Sequence, residues 1–178
     1  MSHIGNKFII IPNNINIEIN NNILTVNGLF GSESISIFNN LSLNILDNKI
    51  YITKLDTSTK TKSFQGLFRS LLQNIILGLS EKFIKVLTIN GVGYKFEIEN
   101  NILIIIAGFS HTIKLIIPEY LNVKLESPLS LTISGTNKQK VGLFASKIKQ
   151  ISPPEPYKGK GIFYLNEKIR RKVGKTGK

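Results

Sequence analysis

What most constrains this chain is that it repeats. Ile11-Pro12-Asn13-Asn14-Ile15-Asn16-Ile17 leads to Leu24-Thr25-Val26-Asn27-Gly28, and Ile117-Pro118-Glu119-Tyr120-Leu121-Asn122-Val123 leads to Leu131-Thr132-Ile133-Ser134-Gly135, with one residue inserted in the second copy. Each copy then reaches a helical pattern, Gly66-Leu67-Phe68-Arg69-Ser70 ending near Ile75 and Gly142-Leu143-Phe144-Ala145-Ser146 ending near Ile151. Such self-similarity predicts two copies of one strand-strand-helix plan.

The periodicities agree. Phe64, Leu67, Phe68, Leu71, Leu72, Ile75, Ile76 and Leu79 form one stripe at helical spacing, which reads as core. The second helix repeats the stripe with Val141, Phe144, Ala145 and Ile148, while Lys140, Lys147 and Lys149 face away and make its outer surface basic. Elsewhere isoleucines and aromatics alternate as in strands: Ile15/Ile17/Ile19, Ile35/Ile37, Ile50/Ile52, Tyr94/Phe96/Ile98 and Ile113/Leu115/Ile117. Asn20-Asn21-Asn22, Asn39-Asn40, Asp47-Asn48 and Asn100-Asn101 supply turns, because short amide side chains tolerate left-handed backbone. The expected fold is α+β: two similar domains, each an antiparallel sheet covered by one helix, at 1–80 and 81–158, followed by an extended basic C-terminal arm at 159–178.

Charge distinguishes the two ends. The chain carries 23 Lys+Arg against 11 Asp+Glu, net +12. Up to Asn137 there are 11 basic and 9 acidic residues, whereas Lys138 to Lys178 holds 12 basic and 2 acidic. A merely solubilising surface would spread its charge, so the segment points to a polyanionic partner. With no cysteine, disulfides and thiolate chemistry are excluded, which fits a reducing compartment. The longest apolar run, from Ile102 to Phe109, is too short for a membrane span, so no membrane partner is expected and the protein is read as soluble. Phe8 to Ile11 is likewise too short for a secretory signal. The abundance of Ile and Asn where other residues would serve hints at an AT-biased genome, such as that of an organelle.

After the second helix, Pro153, Pro154 and Pro156 hold an extended path before Tyr157-Lys158-Gly159-Lys160-Gly161. Bare backbone at the glycines lets amides and the Lys158 and Lys160 ammonium groups approach phosphates. Tyr157 either stacks on a base or packs under the prolines, and the glycines either serve RNA or only make a turn. The tail brings Lys168, Arg170, Arg171, Lys172, Lys175 and Lys178, with few apolar residues, and is expected to fold onto a polyanion rather than alone.

The block Pro154-Glu155-Pro156-Tyr157-Lys158-Gly159-Lys160-Gly161-Ile162 closely resembles the signature of the large-subunit ribosomal protein L-six family. Ser2-His3-Ile4-Gly5, Ile11-Pro12, Gly91-Val92-Gly93-Tyr94, Gly108-Phe109-Ser110-His111 and Gly135-Thr136-Asn137-Lys138-Gln139 agree in order, so the resemblance spans the chain. It implies two similar α+β domains, binding to large-subunit rRNA near the sarcin-ricin loop, neighbouring large-subunit ribosomal proteins as partners, and translational GTPases close by. Carried over, it implies RNA contact by Lys138, Tyr157, Lys158, Gly159, Lys160 and Gly161, and by Ser110 and His111. Asn27-Gly28-Leu29-Phe30-Gly31 departs from the family's basic Lys-Gly-Pro-Lys-Gly, and Ser152 and Phe163 stand where Arg is common. The ending from Arg171 to Lys178 is similar to cyanobacterial and plastid members, which favours a plastid (chloroplast) ribosome over a mitochondrial or bacterial one.

Catalysis has no visible seat. Gly174-Lys175-Thr176 imitates the end of a phosphate-binding loop, but Ile169 stands where that motif needs glycine. Ser110 and His111 are adjacent, a poor arrangement for nucleophile and base, and the acids are scattered singly. Two histidines without cysteine or clustered carboxylates predict no metal site, and no cofactor is expected. The reading is a non-enzymatic ribosomal RNA-binding protein; the alternative is an RNA-binding regulator free of the ribosome.

Overall fold

Three two-residue turns set much of the architecture. Asn21-Asn22, Asp47-Asn48 and Asn100-Asn101 all have positive φ, between 43° and 68°. That geometry matches the right-handed twist of the strands it joins, and Asn and Asp pay less for it than other side chains. The computed structural model describes residues 4–175. His3 and Lys178 lie outside the described residues.

The chain divides into two compact units, one ending at Lys82 and the other beginning at Phe83. The first contains β1 (Ile9–Ile10), β2 (Asn16–Asn20), β3 (Ile23–Gly28), β4 (Gly31–Ser36), β5 (Leu41–Leu46), β6 (Lys49–Lys54) and α1 (Thr59–Glu81). The second contains β7 (Phe83–Asn90), β8 (Lys95–Glu99), β9 (Ile102–Ile106), β10 (Ile113–Ile116), β11 (Asn122–Ser127), β12 (Ser130–Gly135), α2 (Lys138–Ile151) and β13 (Gly161–Tyr164). All strand pairs are antiparallel. In place of one sheet, each unit has two ladders: β1-β6-β5 and β2-β3-β4 in the first, β11-β12-β7-β13 and β8-β9-β10 in the second. Replacing each strand by the one six places later converts the first set into the second, β13 being extra.

This correspondence corrects the register of the repeat. The matched sequences join β2-β3 to β11-β12, but the topological counterpart of β11-β12 is β5-β6. The mismatch has a physical source in a half-unit motif. Ile11, Ile37 and Ile117 each donate their N–H to the second residue of a hairpin turn, at Asn48, Asn22 and Asn101 respectively, over 2.8, 2.8 and 2.9 Å. A short turn follows each, closed by Ile15 to Pro12, Leu41 to Phe38 and Leu121 to Pro118. Asn22 and Asn101 also donate side-chain amides to the carbonyls of Ile37 and Ile117. Ile11-Pro12 and Ile117-Pro118 therefore resemble each other as half-units, the first half of one unit and the second half of the other.

Each unit has its own core. In the first, Leu24, Val26, Ile50, Phe68 and Leu72 are completely covered; α1 packs on β3, β4 and β6. The helical stripe is only partly core: Phe68, Leu72, Ile76 and Leu79 are buried, while Phe64 and Leu67 are 41% and 49% exposed. The covered line continues instead through two polar residues. Thr61 lies beside the cap Ser58 and accepts a bond from Asn40, and Gln65 donates to the Ile52 carbonyl at 2.7 Å. These bonds tie α1 to the sheet and satisfy groups that would be costly to bury alone. In the second unit Leu87, Leu103, Leu131, Ile133, Ala145 and Ile148 form the centre, with α2 on β7, β12 and β13.

The C-terminal segment departs from the expected arm. Ile162 is fully buried and β13 pairs along β7, Ile162 facing Ile89 and Tyr164 facing Leu87. A strand that fills a sheet edge and contributes to the core is part of the domain, so the unit extends past residue 158. Regular structure stops only after Tyr164.

Candidate nucleic-acid interface

Helix α2 begins where Asn137 accepts N–H bonds from Gln139 and Lys140, at 3.0 and 3.2 Å. Its buried side is Val141, Phe144, Ala145 and Ile148, so Lys138, Lys140 and Lys147 are turned outward and exposed. Two of these ammonium groups sit over rings, Lys140 at 4.5 Å from the Tyr120 centroid and Lys138 at 5.9 Å from that of Phe83. Aromatic faces hold the cations in place while leaving their outer side to a phosphate.

Lys149 is placed differently. Both carboxylate oxygens of Glu167 accept from its ammonium at 2.6 Å, and Glu167 also accepts the Tyr164 N–H at 3.2 Å. The Lys149 hydrogen bond, aided by that backbone amide, holds the Glu167 carboxyl below its ordinary value. Lys149 thus clips the tail to the helix. Its ammonium and that of Lys85 lie 5.0 and 5.6 Å from the Tyr164 ring. Lys85 was not singled out in the sequence because it belongs to a strand far from the basic segment; only the pairing of β13 with β7 brings it there.

The proline-glycine segment is a closed loop. Glu155 N–H donates to the Lys160 carbonyl at 2.7 Å, Gly159 N–H to Glu155 at 3.0 Å, and Ile162 N–H to Ser152 at 2.7 Å. Gly161 adopts φ +128°, and a Cβ there would lie 2.6 Å from the Pro153 carbonyl oxygen, so only glycine fits. At the tip Tyr157 is 54% exposed and Lys158 is exposed, whereas Lys160 is half-buried. The tail returns onto this loop: Lys172 N–H donates to the Pro156 carbonyl at 2.8 Å. The Arg171 guanidinium lies 3.1 Å from where a Gly159 Cβ would stand. Gly159 and Gly161 are both buried, while Lys168, Arg170, Arg171, Lys172 and Lys175 are exposed.

Ser110 and His111 are exposed on the loop after β9, and His111 lies 6.1 Å from the Phe109 ring. The ring of Tyr94 fills the space that side chains at Gly91 and Gly108 would take, with its hydroxyl 2.6 Å from a Gly108 Cβ position. Tyr94 thereby joins the Gly91-Val92-Gly93 turn to the Gly108–His111 loop, and Val92 at the turn's tip is 92% exposed. What the structure brings together is thus two clusters: the Pro-Gly loop with the tail and α2, and the Gly91 turn with the His111 loop.

Among the described residues no group of three or more His, Asp and Glu is close enough to hold a metal ion. Among the same residues no helix is long and apolar enough to cross a membrane. A cleft of about 360 Å³ in the second unit is lined by Glu119, Tyr120 and Asn122 but includes neither His111 nor a pair of acids.

Comparison with known proteins gives the same direction. The family model described as Ribosomal protein L6 matches residues 90–164, from the end of β7 through β13. The chain is 41% identical over 178 residues to "Large ribosomal subunit protein uL6c" of Pyropia yezoensis, covering 100% of this chain and 99% of that one. It is 41% identical to the uL6c of Porphyra purpurea over the same shares. With "Large ribosomal subunit protein uL6" of Metamycoplasma arthritidis it shares 39% over 176 residues, 99% of this chain and 98% of that one. A signature loop closed at Gly161, where only glycine fits, in a sequence matched end to end by such relatives places this chain in the ribosomal protein L6 family.

Proposed function

We propose that the protein is a structural, non-catalytic constituent of the large ribosomal subunit that binds rRNA through its second unit. The observation that carries this reading is the distribution of charge: 12 basic against 2 acidic residues from Lys138 onward. One of the two acids, Glu167, is used internally by Lys149. Lys138, Lys140 and Lys147 on α2, Lys158 on the loop, and Lys168, Arg170, Arg171, Lys172 and Lys175 on the tail provide phosphate contacts, with Tyr157 available for stacking. Lys149, Gly159 and Gly161 act by shaping this surface. The rRNA segment is the region of the sarcin-ricin loop, near the site of translational GTPases, and the Ser110-His111 loop is a second contact. End-to-end similarity to two uL6c proteins supports a plastid ribosome.

Crosslinking of the tagged protein to RNA in the native cell, followed by sequencing of the attached fragments, tests this. Large-subunit rRNA from the sarcin-ricin region, joined to peptides between Lys138 and Lys175, is the expected product, and the rRNA sequence identifies the compartment. Scattered messenger RNAs would instead favour a regulator acting outside the ribosome.

A further inference from the structure

In the second unit the ladder does not stop at β7, because β13 pairs along its outer edge; the matching ladder of the first unit ends at β1. The registers superimpose residue by residue. Ile9 pairs with Ile50 and Ile10 with Lys49, as Leu87 pairs with Leu131 and Thr88 with Ser130. Ile10 therefore stands where Thr88 stands, and Thr88 is covered by Phe163 of β13.

The free edge has unused bonding groups. Ile11 N–H donates inward to Asn48 at 2.8 Å, so Ile9 and Ile11 are the residues bonded toward β6. In an antiparallel ladder the residue between them turns its N–H and C=O the other way. Those of Ile10 point off the sheet.

The face beside this edge is apolar. Ile10, Lys49 and Leu46 lie in one line across the strands, and Ile10 and Leu46 are 65% and 63% exposed. Phe8 and Tyr51 stand next to them with ring centroids 6.0 Å apart, and the Lys49 ammonium is 5.1 Å from the Phe8 ring. The corresponding line in the second unit carries Thr88 and Ser130, with Thr132 and Ser134 further along β12. Open sheet edges are ordinarily blunted by brevity, charge, proline or a covering segment; β1 is short, but its outward-bonding residue is an exposed isoleucine with no charge beside it on that edge, which suits pairing.

We propose that the outer edge of β1 receives an extended segment of a neighbouring large-subunit protein by strand addition, as β13 is received by β7. The occupant's chemistry follows from β13: a short run of alternating large apolar residues, one turned toward the partly buried Ile11 and the next lying over Ile10. The added ladder is brief, because β1 has only two residues and Pro12, the next residue of outward parity, has no N–H. An RNA occupant fits less well, since Lys49 is the lone cation in the line and Asp47 follows Leu46 in the adjoining turn. This site is independent of the rRNA surface of the second unit.

Site-specific photocrosslinking in assembled large subunits tests the proposal, with benzoylphenylalanine replacing Ile10 in the full-length chain. The expected result is one dominant crosslink to an extended, apolar peptide of another protein, about tenfold above the yield from the same probe at the exposed Glu18 on β2. Crosslinks to RNA or to this chain itself, or a yield at Ile10 no greater than at Glu18, would overturn it. A second chain carries the probe at Leu46 and the substitution Ile10→Pro, which removes the outward N–H and spares the β1-β6 bonds. Its crosslink to the same peptide should fall about tenfold, and an unchanged yield would sink the strand-pairing geometry.

Discussion

Glycines and one ion pair carry the sharpest consequences at the scale of single residues. Gly161→Ala forces a side chain into left-handed backbone and against the Pro153 carbonyl. A cost of about 3 kcal/mol or more is expected in chemical denaturation of the second unit, combining backbone strain and the steric clash. Gly66 on α1 is the contrasting case: a Cβ there meets nothing within 4 Å. Gly66→Ala should stabilise by about 0.5–1 kcal/mol through the unfolded chain, and an unchanged or lower midpoint would contradict that. The pair Lys149-Glu167 gives a pH signature. Because the folded state depresses the Glu167 carboxyl, its contribution is present above the ordinary glutamate range and is lost as pH falls through the lowered value. Glu167→Gln should therefore reduce stability at neutral pH by about 0.5 kcal/mol, as partly exposed pairs do, and the difference from the unmodified protein should shrink as the pH falls below the ordinary glutamate range. Tyr157 and Gly159 show how far residue types were readable. Both readings of Tyr157 were open in the sequence, and its exposure at the loop tip leaves it available to RNA; Gly159 is instead covered by Arg171, a contact between residues twelve apart that no local pattern signals.

At the scale of elements, the strand β13 decides where the domain ends. Four residues, Gly161–Tyr164, are too few and too close to a glycine-rich loop to announce a strand by alternation, so the sequence reads there as the start of an arm. The partner strand supplies what is missing: β7 offers an edge, and Ile162 completes the core against Ile89. Removing residues 159–178 should abolish the cooperative unfolding transition of the second unit, whereas ending the chain after Glu167 should keep it, since β13 and the clip to Lys149 remain. Circular dichroism melting of the two truncations distinguishes these outcomes. The helices were legible because a stripe with period 3.6 is local, but α1 runs from Thr59 to Glu81, starting before the Phe64 stripe and passing the expected end near Ile75; Ser58 and Asn137 cap the two helices as such residues do. The repeat was legible in kind but misaligned in register, since Ile11-Pro12 and Ile117-Pro118 report the same half-unit turn in different halves.

For the whole molecule, binding to rRNA should be governed by counterion release. If about five phosphates are contacted, the logarithm of affinity should fall with the logarithm of salt with a slope on the order of −4, measured for the isolated protein on a large-subunit rRNA fragment. A slope near zero would remove electrostatics from the interface. Replacing Arg170, Arg171 and Lys172 together by Gln should flatten the slope by about two units and leave the fold intact, because all three side chains are exposed. The sequence by itself determined the α+β class, the two helices, the hairpin turns and the concentration of positive charge, because each of these is written in short-range periodicity, turn chemistry or composition. Only the tertiary structure decided which strands pair, that β13 belongs to the second sheet, that Lys149 is held by Glu167 while its neighbours on α2 face outward, and that the first unit keeps an open edge at β1. These are outcomes of contacts between residues distant in the chain, where the free energy of burying Ile162 or of completing a ladder outweighs the local preference of the segment.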